Sequence, residues 1–239
     1  MTVLPLRHVT GAHRVTARAM RAPRPALPTT VERLEAALGP QYKVVRTLGQ
    51  GGYGEVFLVR DGMLHRVLAV KVLRDALAAD PRERERFRRE ARTVAHLVHP
   101  GIVPVLAYGE TPATHDEQAP LCWTMMPCAS GGSLAARIGP RGGMSPAAVA
   151  TILGALCDAL AHAHRHGVVH CDLKPDNVLF AGEDARPLLT DFGVAARPHH
   201  DNGIVVHVDV GGTPQWMAPE QRFGLGALDA RSDVHGVGM

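Results

Sequence analysis

The sequence predicts an α+β fold, with a small antiparallel β lobe that carries one helix and a larger, mainly helical lobe. Three apolar segments rich in β-branched residues lie within 42–73 and are separated by glycine-rich or polar turns, which predicts an antiparallel meander. After the Gly-Gly pair at 131–132 the character changes, because Ser145 and Pro146 open an alanine- and leucine-rich helix to about residue 166. With 46% hydrophobic and 21% charged residues, the composition is that of a globular protein.

The individual elements follow from local signals along the chain. Thr29 and Glu32 fit a capping box that begins a short helix over 30–38, and a Gly-Pro pair then ends it. Asp80 begins a second helix, whose apolar stripe among many charges predicts an amphipathic helix on the β lobe. The predicted strands are 42–48, 55–60, 67–73, 103–108 and 121–126, and the predicted stripe is Phe87, Ala91, Val94, Ala95 and Leu97.

The domain organisation predicted from these signals has three parts. Residues 1–40 form a leader that is largely disordered apart from the short helix, 41–127 the small lobe, and 128–239 a partial large lobe. The net charge is +3, but residues 1–31 contain five arginines and no acid, which leaves −2 for the rest. The leader could instead be a targeting segment or a nucleic-acid-binding arm. Because the body is not basic, no specific nucleic-acid partner is expected.

The cysteine spacing argues against a zinc-binding protein, and the hydropathy argues against a membrane-spanning one. The four cysteines show no CxxC spacing, which indicates reduced thiols, no cysteine-type zinc site and a cytoplasmic location. The longest apolar stretch, 147–161, is interrupted by Asp158 and is shorter than the roughly 18–20 residues that a bilayer requires. We therefore expect no membrane span.

A glycine-rich turn between the first two strands is the first candidate for binding chemistry. Gly49, Gly51 and Gly54 match the pattern GxGxxG, and glycines let backbone N–H groups approach phosphate oxygens. Since residues 55–59 continue as a strand, the pattern predicts a hairpin flap and not the helix-opening turn of a dinucleotide-binding fold. Strand alternation places Lys71 in the cleft under this flap.

A lysine that ends an apolar strand requires an acid or a phosphate nearby. Glu90 is the best acid candidate, because it shares the apolar side of the amphipathic helix with Phe87 and Val94 by i, i+3 and i+4 spacing. We therefore expect a pair between Lys71 and Glu90 that holds the lysine in place.

The densest group of polar residues is the run HCDLKPDN, which is followed by DFG. Asp172, Asn177 and Asp191 offer hard oxygen ligands and a base, as expected for Mg²⁺ that also binds nucleotide phosphates. Lys174 adds a cation next to the base. This combination suits phosphoryl transfer, in which positioning and charge neutralisation provide most of the catalysis.

In these motifs the chain resembles the eukaryotic-type serine/threonine protein kinases, and a bacterial member is expected. LGQGGYGEV, AVK, HCDLKPDN, DFG and APE occur in the family's order, and the resemblance covers about 42–239. It implies a two-lobed protein-kinase-like fold and transfer of the ATP γ-phosphate to serine or threonine hydroxyls of a protein substrate. It further implies that Gly49, Gly51, Gly54 and Lys71 bind ATP phosphates and that Glu90 orients Lys71. Asp172 would be the base, and Asn177 and Asp191 would hold Mg²⁺. Lys174 and Thr213 are similar to the residues at these places in the serine/threonine-specific branch.

The resemblance also implies an adenine pocket between the lobes. Met126 would be the gatekeeper, and Pro127 and Ala129 would belong to the connector whose backbone meets adenine. A proline is compatible there because only its carbonyl is required. The residues implied to close the pocket above and below are Leu48, Val56, Ala69 and Leu179.

The chain departs from the family pattern in its activation segment. Cys171 replaces the arginine that in many kinases pairs with a phosphate on that segment. Residues 194–212 contain no Ser, Thr or Tyr, so the receptor and the acceptor of a phosphate are both absent from the sequence. We therefore expect no activation by phosphorylation of 194–212, and activation by a phosphate on Thr213 would contradict this hypothesis.

A second departure is at the C-terminal end. Residues 232–239 resemble only the opening of the family's long central helix, so the chain is expected to be C-terminally truncated. The arginine that pairs with the APE glutamate in the family would lie in the missing part. Glu220 is therefore expected to be a buried carboxylate without a partner, which is a costly state.

Other functions stay open at this point. Truncation could leave a catalytically inert nucleotide- or protein-binding module. A small-molecule kinase could share the HxDxxxxN loop, although DFG, APE and the GTPQW stretch favour a protein acceptor. Homodimerisation through the small lobe is a further expectation by family analogy alone.

Overall fold

The computed structural model describes residues 27–113, 118–138, 143–182, 186–192, 213–224 and 228–239. Three sequence-based expectations fall outside the described residues. These are the disorder of leader residues 1–26, the last residue of the DFG motif at position 193, and the activation segment 194–212.

The small lobe is a five-stranded antiparallel sheet with strand order β1-β2-β3-β5-β4. The first three strands form the predicted meander, and their inward side chains include Phe57, Val59 and Val70 in one core cluster. Helices are added at its N-terminal end and between β3 and β4. The elements are α1 (Thr30–Leu38), β1 (Tyr42–Gln50), β2 (Gly54–Asp61), β3 (Arg66–Leu73), α2 (Asp75–Ala78), α3 (Pro81–Ala95), β4 (Ala107–Thr111) and β5 (Leu121–Pro127).

Helix α1 begins with the predicted capping box. The Thr29 hydroxyl accepts a hydrogen bond from the Glu32 backbone N–H at 3.2 Å, and the Glu32 carboxylate accepts one from the Thr29 N–H at 2.7 Å. Leu34 is fully buried and packs with the core of the sheet. The helix assigned to the leader from sequence is thus packed against the small lobe.

Helix α3 confirms most of the predicted amphipathic stripe. Asp80 is its N-cap and accepts a hydrogen bond from the Arg82 N–H at 2.8 Å. Phe87 and Val94 are buried as expected, but Ala95 is exposed and Thr93 is buried in its place. The helix ends at Ala95, so this last residue no longer faces the lobe.

The strand predicted over 103–108 begins later than expected, at Ala107. The Val103 N–H donates to the Leu189 carbonyl at 2.8 Å, and the Leu189 N–H donates to the Gly101 carbonyl at 2.8 Å. Residues around Val103 therefore pair with the large lobe and not with the small-lobe sheet. This pairing ties the two lobes together behind the cleft.

The large lobe is mainly helical, and its central element is α5. Ser145 is the N-cap of α5 as predicted, and its hydroxyl accepts a hydrogen bond from the Ala148 N–H at 3.2 Å. The elements are α4 (Leu134–Ile138), α5 (Pro146–Arg165), a 3-10 helix (Pro175–Asn177), β6 (Val178–Phe180), β7 (Pro187–Leu189), a second 3-10 helix (Pro214–Trp216), α6 (Pro219–Phe223) and α7 (Ala230–Gly238). Strands β6 and β7 pair antiparallel beneath the cleft.

Among the described helices, α5 alone is long and apolar enough to cross a membrane by length and composition. Ile152, Leu156, Ala159 and Leu160 on this helix are buried in the large-lobe core. The core helix of a folded domain can pass the same composition test, and the buried face of α5 is part of the large-lobe core.

Candidate active site

A cavity of about 460 Å³ opens between the two lobes. The flap between β1 and β2 contributes to its roof, and the loop from Asp172 to Asn177 contributes to its floor. The sequence-predicted residues that line it are Gly49, Gly51, Gly54, Val56, Lys71, Glu90, Asp172, Lys174, Asn177, Asp191 and Thr213.

Of the residues predicted to enclose adenine, Val56 lines this cavity and the others lie outside its lining. Ala69 on β3 pairs with Met126 on β5, and Leu68 pairs with Pro127. Met126 lines a smaller neighbouring cavity of about 30 Å³, which also contacts Lys71 and Glu90. The other predicted adenine-pocket residues outside the main lining are Leu48, Ala129 and Leu179.

The flap is a hairpin turn, as the glycine pattern predicts. Gly49 pairs with Val56 across β1 and β2, and the Gly51 N–H donates to the Gly54 carbonyl at 2.9 Å. A Cβ on Gly54 would lie 2.1 Å from the Val72 carbonyl oxygen, so this position requires glycine for packing. Cβ atoms on Gly49 and Gly51 would meet no protein atom within 4 Å. Packing within the chain thus does not explain these two glycines.

Lys71 lies in the cavity between two acids. Its ammonium donates to Asp191 Oδ1 at 2.8 Å and lies 3.9 Å from Glu90 Oε1. The structure therefore confirms the expected contact with Glu90 and adds a closer one with Asp191. Sequence reasoning missed this second pair, because Asp191 is far away along the chain and was considered only as a metal ligand.

Burial and charge act against each other on these three groups. Burial lowers the pKa of Lys71, but the charges of Asp191 and Glu90 outweigh it and hold the pKa above its ordinary value. Burial raises the pKa of Asp191, but Lys71 reverses the effect and leaves it below the ordinary range. For Glu90, burial outweighs Lys71 and raises the pKa to about 6. Lys71 is therefore a firmly charged cation, and Glu90 is its more easily protonated partner.

Asp172 is held by neighbours from its own loop. Its Oδ2 accepts hydrogen bonds from Lys174 at 2.9 Å and from Asn177 Nδ2 at 3.0 Å. Lys174 also donates to the Thr213 hydroxyl at 3.0 Å, and the Thr213 N–H donates to Asp172 Oδ1 at 3.4 Å. The arrangement places the Asp172 carboxylate beside the Lys174 side chain, where the carboxylate could accept a proton from a bound hydroxyl group.

The backbone just before Asp172 is fixed by a buried acid on α7. Asp233 is 1% exposed, and its carboxylate accepts hydrogen bonds from the His170 N–H at 2.8 Å and the Cys171 N–H at 2.9 Å. Cys171 has φ of 62°, a left-handed conformation that is unusual outside glycine. Sequence reasoning assigned no role to Asp233. A carboxylate on a helix that packs on the core requires hydrogen-bond partners, and this requirement could have identified Asp233 from the sequence.

His170 beneath the cavity is fully buried, and burial holds its pKa below the ordinary value. Its Nε2 lies 3.1 Å from the Thr190 carbonyl, and its Nδ1 accepts a hydrogen bond from the Asp172 N–H at 3.3 Å. These partners define a neutral ring with its proton on Nε2. The ring packs on Phe192 with 4.5 Å between centroids, so it joins the Asp172 loop to the Asp191 segment.

The expectation that Glu220 is buried without a partner is wrong. The residue is partly exposed, and its Oε1 accepts a hydrogen bond from the Ser232 hydroxyl at 2.6 Å. This bond lowers the pKa of the carboxyl. The sequence argument failed because it considered only an arginine as the partner and overlooked a hydroxyl on the neighbouring α7.

Comparisons with known proteins agree with this geometry. The family model for the protein kinase domain matches residues 42–239. The chain is 40% identical over 204 residues to the DNA damage-responsive serine/threonine-protein kinase RqkA of Deinococcus radiodurans, covering 84% of this chain and 29% of that protein. It is also 40% identical over 204 residues to the serine/threonine-protein kinase PknB of Mycobacterium tuberculosis, covering 84% of this chain and 32% of PknB. The chain therefore spans about a third of the length of these relatives.

A solved structure supports the same assignment. The PknI kinase domain of Mycobacterium tuberculosis matches with a TM-score of 0.60 and 34% sequence identity, covering 82% of this chain and 71% of that chain. The family match includes the flap, Lys71, the Asp172 loop and Asp191, which are the elements that meet at the cavity. Family, relatives and site geometry thus lead to one conclusion: this chain belongs to the protein kinase domain family.

Proposed function

We propose that this chain is the catalytic part of a serine/threonine protein kinase, which transfers the γ-phosphate of ATP to serine or threonine hydroxyls of a protein substrate. The observation that carries the proposal is that one interlobe cavity collects a glycine flap, a doubly paired lysine and a carboxylate held beside a second lysine. Protein kinases generally use ATP and Mg²⁺, and the named relatives are serine/threonine kinases, which supports this acceptor class.

The flap and Lys71 fit the phosphates of ATP. The Cβ positions of Gly49 and Gly51 are open, so phosphate oxygens could approach the backbone N–H groups there without displacing protein atoms. Lys71 is charged and points into the same cavity. We assign Gly49, Gly51, Gly54 and Lys71 to phosphate binding, and Glu90 to the orientation of Lys71.

Asn177 and Asp191 are the residues that would hold Mg²⁺. Asn177 donates its amide N–H groups to the Asp172 carbonyl at 2.8 Å and carboxylate at 3.0 Å, so its amide oxygen is left for a cation. The described residues contain no cluster of three His, Cys, Asp or Glu side chains suited to a metal ion. Few protein ligands fit Mg²⁺, which usually completes its coordination with water and substrate phosphates. When bound, Mg²⁺ would neutralise the charge that develops on the phosphates.

Asp172 is the proposed base. It would accept the proton of the acceptor hydroxyl, whose oxygen forms a bond to the γ-phosphorus while the bond to the leaving ADP oxygen breaks. Lys174 contacts Asp172 at 2.9 Å and would offset negative charge beside it, and Thr213 holds Lys174 from the other side. These contacts hold the base in position.

For adenine, the proposed residues lie on β1, β2, β3, β5, the segment after β5 and β6; they are Leu48, Val56, Ala69, Met126, Pro127, Ala129 and Leu179. Pairing of Ala69 with Met126 and of Leu68 with Pro127 brings β3 next to the connector.

Cytoplasmic location stays a prediction from the cysteine pattern. Nothing in the described residues supports a homodimer or favours an inert module.

The test is transfer of radiolabelled phosphate from ATP with Mg²⁺ to a generic basic protein, with phosphoamino-acid analysis of the product. We expect label on serine or threonine, and a loss of about 10²–10⁴-fold in rate for Asp172→Asn, with nucleotide affinity retained. Asp158→Asn, an exposed acid on α5, is the matched control and should keep the wild-type rate. Nucleotide binding without any transfer would contradict the proposal and favour an inert binding module.

A further inference from the structure

Helix α1 precedes residue 42, where the match to the kinase family begins, yet it is packed into the small lobe. We propose that α1 is a strap that positions α3, and that Arg33 on α1 is a positioning residue for the pair between Lys71 and Glu90. The inference rests on the proposed function, in which this pair orients the lysine for ATP. It adds a part of the chain to which neither the family match nor the motifs assign a role.

Arg33 ties α1 to two other parts of the small lobe. Its side chain is 6% exposed, and Nη1 donates to both carboxylate oxygens of Asp75 at 3.0 Å. Its Nη2 donates to the Ala119 carbonyl, just before β5. Because a buried guanidinium is costly to leave without partners, Asp75 and the Ala119 carbonyl are expected to move with Arg33. The side chain therefore joins α1, α2 and the start of β5.

Helix α2 is the connection between the two members of the pair. It lies between β3, which carries Lys71, and α3, which carries Glu90. Arg84 on α3 donates to the Ala78 carbonyl at the end of α2, at 2.6 Å. Ala78 shares a core cluster with Phe87, one turn before Glu90. A displacement of α2 is thus transmitted through close packing to the helix that carries Glu90.

The pair itself is sensitive to such a displacement. Lys71 lies 3.9 Å from Glu90 but only 2.8 Å from Asp191, so the contact with Glu90 is the looser of the two. An outward shift of α3 would lengthen it beyond the range of an ion pair, while the contact with Asp191 could remain. Lys71 would then be held by the large lobe alone.

The opposite side of α1 supplies a matched control. Glu35 accepts hydrogen bonds from Lys43 at 3.0 Å and from the Val44 N–H at 2.9 Å, both on β1. The Lys43 side chain is 68% exposed, and its ion pair is with Glu35 on α1. Lys43→Ala therefore loosens α1 on the β1 side while the Arg33 contacts remain.

The first experiment is hydrogen exchange of the full chain, read on amides of α3 and, as an internal reference, of α5. Arg33→Ala and the milder Asp75→Asn should speed exchange in α3 about tenfold or more and leave α5 within twofold. Lys43→Ala should leave both within twofold. Equal acceleration of α3 and α5, or none in α3, would overturn the proposal. This readout does not depend on phosphate transfer, so an inactive wild type would contradict the proposed function and not the strap.

The second experiment is a double-mutant cycle on kcat/KM for ATP. Arg33→Ala should lower kcat/KM about tenfold in the wild-type background and less than twofold in the Glu90→Gln background, because it acts through Glu90. A tenfold loss in both backgrounds would show a merely structural role and overturn the assignment of Arg33.

Discussion

In the large lobe, Asp172 is held mainly by residues of its own loop, whereas Lys71 and Glu90 of the small lobe meet only through long-range packing. Asp172 contacts Lys174 and Asn177, which follow it within five residues, at 2.9 and 3.0 Å. Lys71 and Glu90 lie on different elements, 3.9 Å apart. Local structure therefore sets the position of Asp172, the proposed base. The position of Lys71, which would contact ATP, depends on contacts between separate elements and can change more easily.

This difference places the more adjustable contact in the small lobe. Asp191 from the large lobe approaches Lys71 more closely than Glu90 does, so charge from the large lobe stabilises the lysine even if α3 moves. Loss of the Glu90 contact should therefore lower kcat/KM in part, whereas replacement of Lys71 should lower it far more.

The largest effect is expected from Lys71→Met. The change removes the cation that contacts Asp191 at 2.8 Å and Glu90 at 3.9 Å, and the methionine that replaces it cannot donate to the phosphates. We expect kcat/KM to fall about 10²–10³-fold, as for other preorganised electrostatic groups. Steady-state phosphate transfer measures the loss, with Lys43→Met as the matched control on exposed β1. A loss below about fivefold would remove Lys71 from the proposed mechanism.

Asp233→Asn tests the support beneath the large-lobe groups. The amide has one acceptor oxygen where the carboxylate uses two, so one of the N–H groups of His170 and Cys171 would lose its partner. We expect the free energy of unfolding to fall by about 2–3 kcal/mol in urea titrations, the range for a buried hydrogen bond to a charged group. Asp229→Asn, at the partly exposed N-cap of α7, should change it by less than about 0.5 kcal/mol, because asparagine caps equally well and the ion pair that is lost, with Arg231, is at the surface. Similar losses in both variants would show that Asp233 has no special role.

The third test is the pH dependence that Glu90 should impose. Burial raises the pKa of Glu90 to about 6, so the carboxyl is mostly ionised at pH 7 and becomes protonated as the pH falls through 6. Protonation removes the charge that pairs with Lys71, and kcat/KM for ATP should decrease about tenfold between pH 7 and 5. The Glu90→Gln variant should start lower and show a flatter profile over the same range. Parallel profiles for the two proteins would exclude Glu90 as the titrating group.

The smallest effect is expected from Thr213→Val. The variant removes the hydroxyl that accepts from Lys174 at 3.0 Å, but Lys174 keeps its contact with Asp172 at 2.9 Å. We expect kcat to fall about two- to fivefold, equivalent to one neutral hydrogen bond. Thr213→Ser restores the hydroxyl and should recover the wild-type rate. A hundredfold loss would mean that the Asp172 loop is less self-sufficient than its local contacts indicate.

Much of the local structure followed from the sequence, because its signals act over a few residues. The capping box at Thr29, the N-caps at Asp80 and Ser145, and the hydrogen bond from Gly51 to Gly54 in the flap all depend on contacts within a few residues. The order of motifs likewise identified groups that line the cavity, since HCDLKPDN carries four of them, Asp172, Lys174, Asp176 and Asn177, in one loop. These features need no knowledge of which elements meet in space.

Tertiary structure decided the pairings between distant parts of the chain. The start of β4 depends on Val103 binding Leu189, the closer partner of Lys71 is Asp191, and the partner of Glu220 is Ser232. Each is a choice among several chemically suitable groups, and only packing determines which group is near enough. The role of α1 has the same origin: the sequence alone predicted a short helix in a leader, but the burial of Leu34 and Arg33 made that helix part of the lobe that holds Lys71.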